Sequence, residues 1–523
     1  MQRPRHASRG GLRATDRAVR HPLRMTLAQA APAATTPDAP VHRDWTSLGL
    51  AGYGAALGGL LFSVAHRGIL DDGYITLSYA RTLAFHGVWG FNEFRTANTA
   101  TSPLNVWLLA LGTFVTRQPV VALGLVLIAS TAATAAWLGV IGRRVGVSPF
   151  VLAGLATGLL VSSPLFASTV GMETFLGVAV LVGVARYTVD DRTVATGVLC
   201  GLAVLTRPDL AMPAGVLVLV LLRRPSGRKW SQFGRLALVA ALVAVPWHLL
   251  SWYALGGFVP DTFAIKTAAA QFREGENFAT GPYFLAQTWT RASVLIAAPC
   301  VLGLLTTAVG VVAWCRRPLT GPLRVAVAFG LGGVAHYAAY SLIGVPPYHW
   351  YYCPAVGLLV VAVAAGAASV APRARTGVFA AGVLLIGVTA GTQLAAAVPW
   401  DQPVIYGNWA TARQYAAVGQ GVGRLVPRGE TIGGFGEIGG VAFACDCDII
   451  DPFTDRATAQ RIIDERYAKA GPLGQWLLDL NYTHAERAPA TVLDHQLVYT
   501  EGPGPGWRTE GPLRGLGHIE LAR

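Results

Sequence analysis

The sequence predicts an all-α polytopic membrane protein that ends in a small α/β domain, and three observations carry that prediction. Only 13% of the 523 residues are charged and 53% are apolar, at a mean hydropathy of +0.46, whereas soluble domains carry about 25% charged residues. Apolar runs separated by short basic clusters fill residues 47–398. From residue 400 onward the composition turns to mixed charge. A water-soluble globule of this size needs far more polar surface, so that class is excluded. The 61 Gly, with abundant Ala, Val and Leu, suit helices that pack closely inside a bilayer. There is no G-x-y period, and the apolar content excludes a disordered chain. The net charge of +13 is spread over short clusters between apolar runs, which is the pattern of cytoplasmic membrane loops and argues against nucleic acid as a partner.

In chain order, residues 1–46 hold eight Arg and the run APAATTPDAP without apolar periodicity, and read as a disordered, basic, cytoplasmic tail. No cleavable signal peptide is expected, because the first long apolar run starts after Trp45. Apolar spans follow near 47–65, 103–116, 120–141, 150–169, 173–188, 193–207, 209–222, 234–252, 288–314, 322–343, 353–371 and 376–398, about 11–12 membrane helices in all. Arg143-Arg144, the run Arg223 to Lys229, Arg316-Arg317 and the pair Arg373 and Arg375 place their loops in the cytoplasm. Segment 103–116 breaks the parity and leaves two readings open, a re-entrant segment or one lying along the interface. This topology puts the N-terminus inside. It puts residues 66–102, the turns at 170–174, 207–210 and 344–352, the loop 253–287, and everything after 399 outside.

The acids are the scarce resource. Residues 47–399 contain ten: Asp71, Asp72, Glu93, Glu173, Asp190, Asp191, Asp209, Asp261, Glu274 and Glu276. Eight fall in the outward segments, and only Asp190 and Asp191 face the cytoplasm. Carboxylates gathered on one side suggest a site, although outward loops also carry acids for solvation.

Residues 400–523 form the third region. TIGGFG and DIIDPF read as short strands and ATAQRIIDERYAKAG as a helix ending at Gly471, hence a small extracytoplasmic α/β domain. GGFGEIGG lacks the spacing of a nucleotide loop and reads as a turn. Cys200, Cys300, Cys315 and Cys353 read as packing residues. Cys445 and Cys447 are either free thiols or a local bridge. No Cys or His spacing suggests zinc.

The richest stretch is residues 70–107, LDDGYITLSYARTLAFHGVWGFNEFRTANTATSPLNVW. Asp71 and Asp72 sit where the first span leaves the membrane, and an amphipathic helix follows with Tyr74, Leu77, Tyr79 and Leu83 available to the interface. Adjacent carboxylates raise each other's pKa, which suits a general base. They also suit the first turn of a helix, where acids complement the dipole. Pattern alone leaves both roles open.

The ordered motifs D-D-x-Y-I-T-x-x-Y-A-R, G-x-x-x-x-N and T-S-P-L-x-x-W resemble the first outer loop of GT-C membrane glycosyltransferases, in particular the arabinofuranosyltransferase-like group of actinobacterial cell-wall synthesis. G-M-E-T at 171–174, L-T-R-P-D at 205–209, W-Y-A-L-G-G-F-V-P-D-T-F-A-I-K at 252–266, H-W-Y-Y-C-P at 349–354 and the late G-F-G-E-I-G-G with D-I-I-D-P agree in order. The resemblance spans residues 45–455, with Asp261 standing where Asn is usual and His349 where Arg is usual. It implies a GT-C-like fold, a polyprenyl-phosphate sugar donor, a cell-wall glycan acceptor, and Asp71 or Asp72 as the base that deprotonates the acceptor hydroxyl. Lys266 is then the leading phosphate ligand, with a lysine that snorkels to lipid headgroups as the plainer alternative. Arg207, an expensive charge at a helix end, would pair with Asp209 or a ligand phosphate. Glu173 would orient substrate or pair with Arg81 or Arg207. Arg81, Asp261, Tyr348 and His349 complete the expected substrate and phosphate contacts, while Trp350, Tyr351 and Tyr352 read as an interfacial aromatic belt.

The expected reaction is transfer of a sugar, with arabinofuranose implied by the resemblance, from polyprenyl phosphate to an extracytoplasmic glycan. No organic cofactor is expected, and no ligand spacing argues for a divalent cation. The rival readings are a transporter or flippase of a lipid-linked sugar, disfavoured because the charges sit at the rim rather than the midplane, and a non-catalytic membrane protein that binds cell-wall lipid.

Overall fold

The computed structural model describes residues 44–222, 226–269, 273–319, 321–370 and 372–522. Nearly all of the expected N-terminal tail and the start of the basic run from Arg223 lie outside the described residues. Helix α1 (Trp45–Ala65) is followed by α2 (Asp71–His86), α3 (Pro103–Thr116), α4 (Pro119–Val145), α5 (Pro149–Ser162), α6 (Pro164–Ser168), α7 (Thr174–Val189), α8 (Thr193–Thr206) and α9 (Ala211–Leu221). The bundle continues with α10 (Ser226–Ala254), α11 (Thr262–Ala269), α12 (Gly281–Thr288), α13 (Thr290–Arg316), α14 (Gly321–Ile343), α15 (Cys353–Ala368) and α16 (Pro372–Leu394). Among the described residues, seven helices are long and apolar enough to cross a membrane, and five shorter apolar ones accompany them. The protein is thus a multi-pass membrane protein whose helices follow the expected apolar runs closely.

Prolines open α3, α4 and α5 at positions where the missing N–H is no loss. Segment 103–116 is helical throughout. It packs against α2, α4 and α8 and turns into α4 within two residues, Arg117 adopting the left-handed conformation at φ 60°. The glycine content has a local cause. In α8, Gly197 and Gly201 lie one turn apart and face α10, where a Cβ at Gly197 would stand 2.9 Å from the Leu236 carbonyl oxygen and one at Gly201 2.7 Å from that of Ala240. Small residues at that spacing let the two backbones approach.

The C-terminal region contains α17 (Ala412–Leu425), β1 (Thr431–Gly433), α18 (Gly439–Cys445), β2 (Asp448–Ile450), α19 (Arg456–Lys469), α20 (Pro472–Asn481), β3 (His495–Glu501), β4 (Trp507–Gly511) and β5 (Gly515–Ala522). Its single sheet has strand order β2-β1-β3-β5-β4. β1 runs parallel to β2 and β3, and β5 pairs antiparallel with β3 and β4, Leu497 opposite Leu521. The two expected strands and the expected helix are present, and β3 to β5 are additional. A capping box between Thr411 and Gln414 starts α17. Cys445 and Cys447 are joined by a disulfide.

This region and the loop after α1 share one hydrophobic core. Tyr415, Val418, Val422, Ile432, Ile449, Leu497 and Ile519 are buried together with Tyr79, Trp89, Phe91 and Val106. Tyr79 is buried in this core and Leu77 in that of the helical bundle, contrary to the expectation that they lie on the membrane interface, because α2 is packed between the bundle and the C-terminal domain.

Candidate active site

The end of the bundle beneath the C-terminal domain holds the scarce charges. Successive residues of a helix point about 100° apart, and at the start of α2 this separates the two aspartates. Asp71, 6% exposed, turns toward α18, and its carboxylate accepts the backbone N–H groups of Gly439 at 2.9 Å and Gly440 at 2.7 Å. Burial pushes its pKa up to about 6, opposed by those backbone donors and reinforced by the neighbouring Asp72. Asp71 latches the domain to α2 and does not face the cleft.

Asp72 does. It lines a partly open cleft, polar along Asp72, Thr76, Thr99, Thr101, Glu173 and Lys266, and apolar along Ile75, Met172, Trp350, Tyr351 and Phe453. Its carboxylate accepts a hydrogen bond from the Lys266 ammonium, which α11 supplies from nearly two hundred residues away. Lys266 is buried, with its ammonium 4.9 Å from the Tyr348 ring centre and 4.8 Å from that of Trp350. Burial disfavours the ammonium, but Asp72 outweighs it and holds the pKa above the ordinary lysine value. The residue is neither exposed nor snorkelling. Phe453 on this wall comes from the C-terminal domain, so the domain completes the cleft.

A second group of charges adjoins Glu173. Arg207 sits in an extended break between α8 and the single 3₁₀ turn Pro208–Leu210. Its Nε donates to Asp209 at 2.9 Å, one Nη to the other Asp209 oxygen at 3.2 Å and to the Tyr340 hydroxyl at 3.0 Å, and the other Nη to Glu173 at 3.4 Å. Its guanidinium lies 4.9 Å from the Tyr351 ring centre. His336, fully buried in α14, places Nε2 2.9 Å from Asp209. Ser102 meets Glu173 from the loop before α3 at 3.5 Å. Thus Arg207 pairs with Asp209 and Glu173 as one buried cluster, and Glu173 pairs with Arg207 and not with Arg81.

Three expected substrate contacts lie elsewhere. Arg81 donates to the Phe443 carbonyl at 2.9 Å and to Asp446 at 3.3 Å, and stacks over Phe443, so it staples α2 to α18. Asp261 is buried next to Arg456 and Tyr482 of the C-terminal domain. Burial raises its pKa to about 6 against those partners, and its Oδ1 has no hydrogen-bond partner among the described residues. His349 is buried against Trp350, its Nε2 also without a partner there. Trp350 and Tyr352 are buried and Tyr351 lines the cleft, so these rings are site and core residues and not the expected interfacial belt. They pack inward because the 3₁₀ turn His349–Tyr352 is tucked between the bundle and α11.

Two buried acids near the site fall in the late G-F-G-E-I-G-G and D-I-I-D-P motifs, although the motifs did not single them out. Glu437 accepts the Trp409 N–H at 2.9 Å, the Asn408 amide at 3.3 Å and the Tyr415 hydroxyl, and burial holds its pKa well above the ordinary carboxylate range, Asp71 adding to the effect. Asp451 accepts the Phe453 N–H at 2.9 Å, and burial lifts its pKa to about 7. Among the described residues, no group of three or more His, Cys, Asp and Glu is arranged to hold a metal ion.

No protein-family profile matches the chain, and no curated protein sequence does. Among solved structures, the crystal structure of ArnT from Cupriavidus metallidurans bound to undecaprenyl phosphate matches with a TM-score of 0.54 at 13% identity, covering 90% of this chain and 98% of that one. The same protein in the apo state matches with a TM-score of 0.50 at 13% identity, covering 87% and 93%. The cryo-EM structure of the mycobacterial arabinofuranosyltransferase AftD gives 0.48 at 14% identity, over 90% of this chain and 39% of that one. At such identity the likeness to ArnT is one of fold, and it extends over nearly the whole of both chains: this protein has a GT-C-type membrane fold.

Proposed function

We propose that the protein is a glycosyltransferase that moves a sugar from a polyprenyl-phosphate donor to an extracytoplasmic glycan, with Asp72 as general base. The single observation that carries the reading is the pairing of Asp72 with Lys266 on the wall of a cleft at the end of the bundle. Attack of an acceptor hydroxyl on the anomeric carbon needs a carboxylate to take the proton and a cation for the phosphate that leaves. The acceptor oxygen forms the new bond to the anomeric carbon, the bond from that carbon to the phosphate oxygen breaks, and Asp72 receives the hydroxyl proton. Lys266, released from Asp72, neutralises the departing lipid phosphate, with Arg207 behind Glu173 as further positive charge. Glu173, the other carboxylate on the cleft, is engaged by Arg207 and Ser102, and a single remaining base suits direct displacement. The fold shared with ArnT, a protein crystallised with undecaprenyl phosphate, supports the lipid carrier. Arabinofuranose as the sugar and cell-wall glycan as the acceptor rest on the motif resemblance alone.

The test is transfer in vitro from radiolabelled polyprenyl-phospho-sugars by the detergent-solubilised protein. Asp72→Asn is expected to lower the rate at least about 100-fold with the fold intact by circular dichroism. Full activity in that variant would overturn the base assignment. Absence of transfer by the intact protein with every such donor would sink the enzyme reading in favour of a lipid-binding or transport role.

A further inference from the structure

The C-terminal domain carries one element that its own core does not explain. α20, with the sequence PLGQWLLDLN, has no buried residue. Leu473, Trp476, Leu477 and Leu480 are 69%, 59%, 51% and 49% exposed, and they recur at i, i+3, i+4 and i+7. That spacing makes one apolar stripe along a ten-residue helix, with Gln475 and Asp479 off it. A soluble domain leaves such a continuous stripe bare only where something covers it.

The contacts of α20 say what covers it. Its last turn is bonded to the end of α10, a helix long and apolar enough to span a membrane and little buried within the protein. The Trp252 indole N–H donates to the Leu480 carbonyl at 2.9 Å, and Trp252 lies two residues before α10 ends. Asn481 accepts the Val259 N–H at 2.7 Å and donates to the Val259 carbonyl at 3.3 Å. His484 packs edge-on against Trp252 and Tyr253, ring centres 4.6 and 5.6 Å away. The exposed stripe of α20 therefore continues the exposed apolar end of a lipid-facing span, where Leu249, Leu250, Tyr253 and Val259 are also uncovered. A Trp-Tyr pair at the end of a span marks the headgroup level. A short helix with Trp and Leu on one face, tied to that level, is built to lie in the interface plane.

We propose that α20 is an interfacial membrane anchor: its Leu473, Trp476, Leu477 and Leu480 face sits in the lipid at the Ala254 end of α10. The proposal is independent of the chemistry assigned to the cleft. It gives the domain a second attachment beside its contacts with α2. It also fixes the height of the neighbouring α11, because Arg466 of α19 donates to Thr267 and lies 4.9 Å from the Phe263 ring centre.

The experiment uses the full chain reconstituted in vesicles of phosphatidylcholine and phosphatidylglycerol. A nitroxide is placed at Leu477→Cys and, separately, at Asp479→Cys, in a Cys315→Ser background that removes the exposed free thiol. At 477, collisions with oxygen are expected to exceed those with a water-soluble nickel chelate several-fold, and the order should reverse at 479. Equal access of the chelate to both positions would overturn the proposal. So would a label at 477 shielded from both probes, the result a protein partner or a second copy would give. Should the labelled variants fold poorly, brominated phosphatidylcholine provides a second reading, because it should quench a fraction of tryptophan emission that disappears in Trp476→Phe. An unchanged quenched fraction would also reject the anchor.

Discussion

Asp71 and Asp72 differ by one residue and by everything around them. Asp71 exchanges water for two backbone N–H groups, and Asp72 exchanges it for an ammonium. Truncating Asp71 to Asn leaves one of the two amides without its acceptor, and this should cost about 1–3 kcal/mol of domain attachment. Faster hydrogen exchange over residues 439–445 in Asp71→Asn, with the transmembrane helices unaffected, is the expected signature. The buried carboxylates at this end of the bundle also set a pH dependence. Folding raises Asp71 and Asp261 to about 6 and Asp451 to about 7 from 3.8, and moves Glu437 the same way. Between those limits the native state keeps protons that the unfolded chain has released. The contribution of the three aspartates is therefore largest at acid pH, declines as pH rises from about 4 to about 7, and is flat above. Thermal unfolding in detergent should show this decline, and Asp451→Asn should flatten its upper part. An Asp451→Asn profile parallel to that of the unmodified protein would contradict the assignment.

At the scale of elements, the Gly-Gly of GGFGEIGG has a steric purpose. A Cβ at Gly439 would stand 2.0 Å from the backbone oxygen of Asp71, and one at Gly440 2.9 Å from the Cβ of Tyr415. The N-terminal end of α18 meets the first turn of α2 backbone to backbone, so the side-chain-free pair is what lets Asp71 reach both amides. Gly439→Ala should push α2 and α18 apart at a cost of about 1–3 kcal/mol and lower transfer through misplacement of Asp72. A lowered midpoint of thermal unfolding together with reduced activity is the outcome to look for. Unchanged stability would mean that the two helices part without cost.

Across the whole molecule, the segment between α2 and α3 and the C-terminal domain are joined by more than apolar packing. Arg95 forms a two-pronged bond to Asp448 at 3.0 and 3.1 Å and reaches Asp455 at 3.4 Å and Thr491 at 3.3 Å. Asn92 adds a bond to Asp448 at 3.2 Å. Both aspartates are nearly inaccessible, so Arg95→Ala strands two buried negative charges, at about 2–3 kcal/mol. Limited proteolysis should then cleave within 400–522 at rates well above those of the intact protein. Arg487→Ala, which removes a pair exposed on both sides, should change little.

Some of this was legible in the chain without any coordinates. The membrane class follows from hydropathy, because helices satisfy their own backbone within lipid, and the apolar helices followed from the apolar runs, although only seven of the twelve expected spans are long and apolar enough to cross among the described residues. The acids worth examining followed from scarcity: Asp72 and Glu173 line the cleft, Asp209 holds Arg207 behind Glu173, and Asp71 and Asp261 are bound by the C-terminal domain away from it. The pairing of Arg207 with Asp209 was readable because the two lie only two residues apart. What the chain could not reveal was decided at long range. Gly439 and Gly440 lie 368 and 369 residues from Asp71, and no local pattern announces that they would claim one carboxylate and leave its neighbour to the cleft. The same distance hid the partners of Arg81 and Asp261, the inward packing of His349–Tyr352, and the entry of Phe453 into the cleft. The sequence by itself determined the membrane class, the spans and a short list of charges, since those depend on composition and local period. Only the tertiary structure decided which charge meets which, because that depends on the direction a side chain leaves its helix and on what the distant chain brings to meet it.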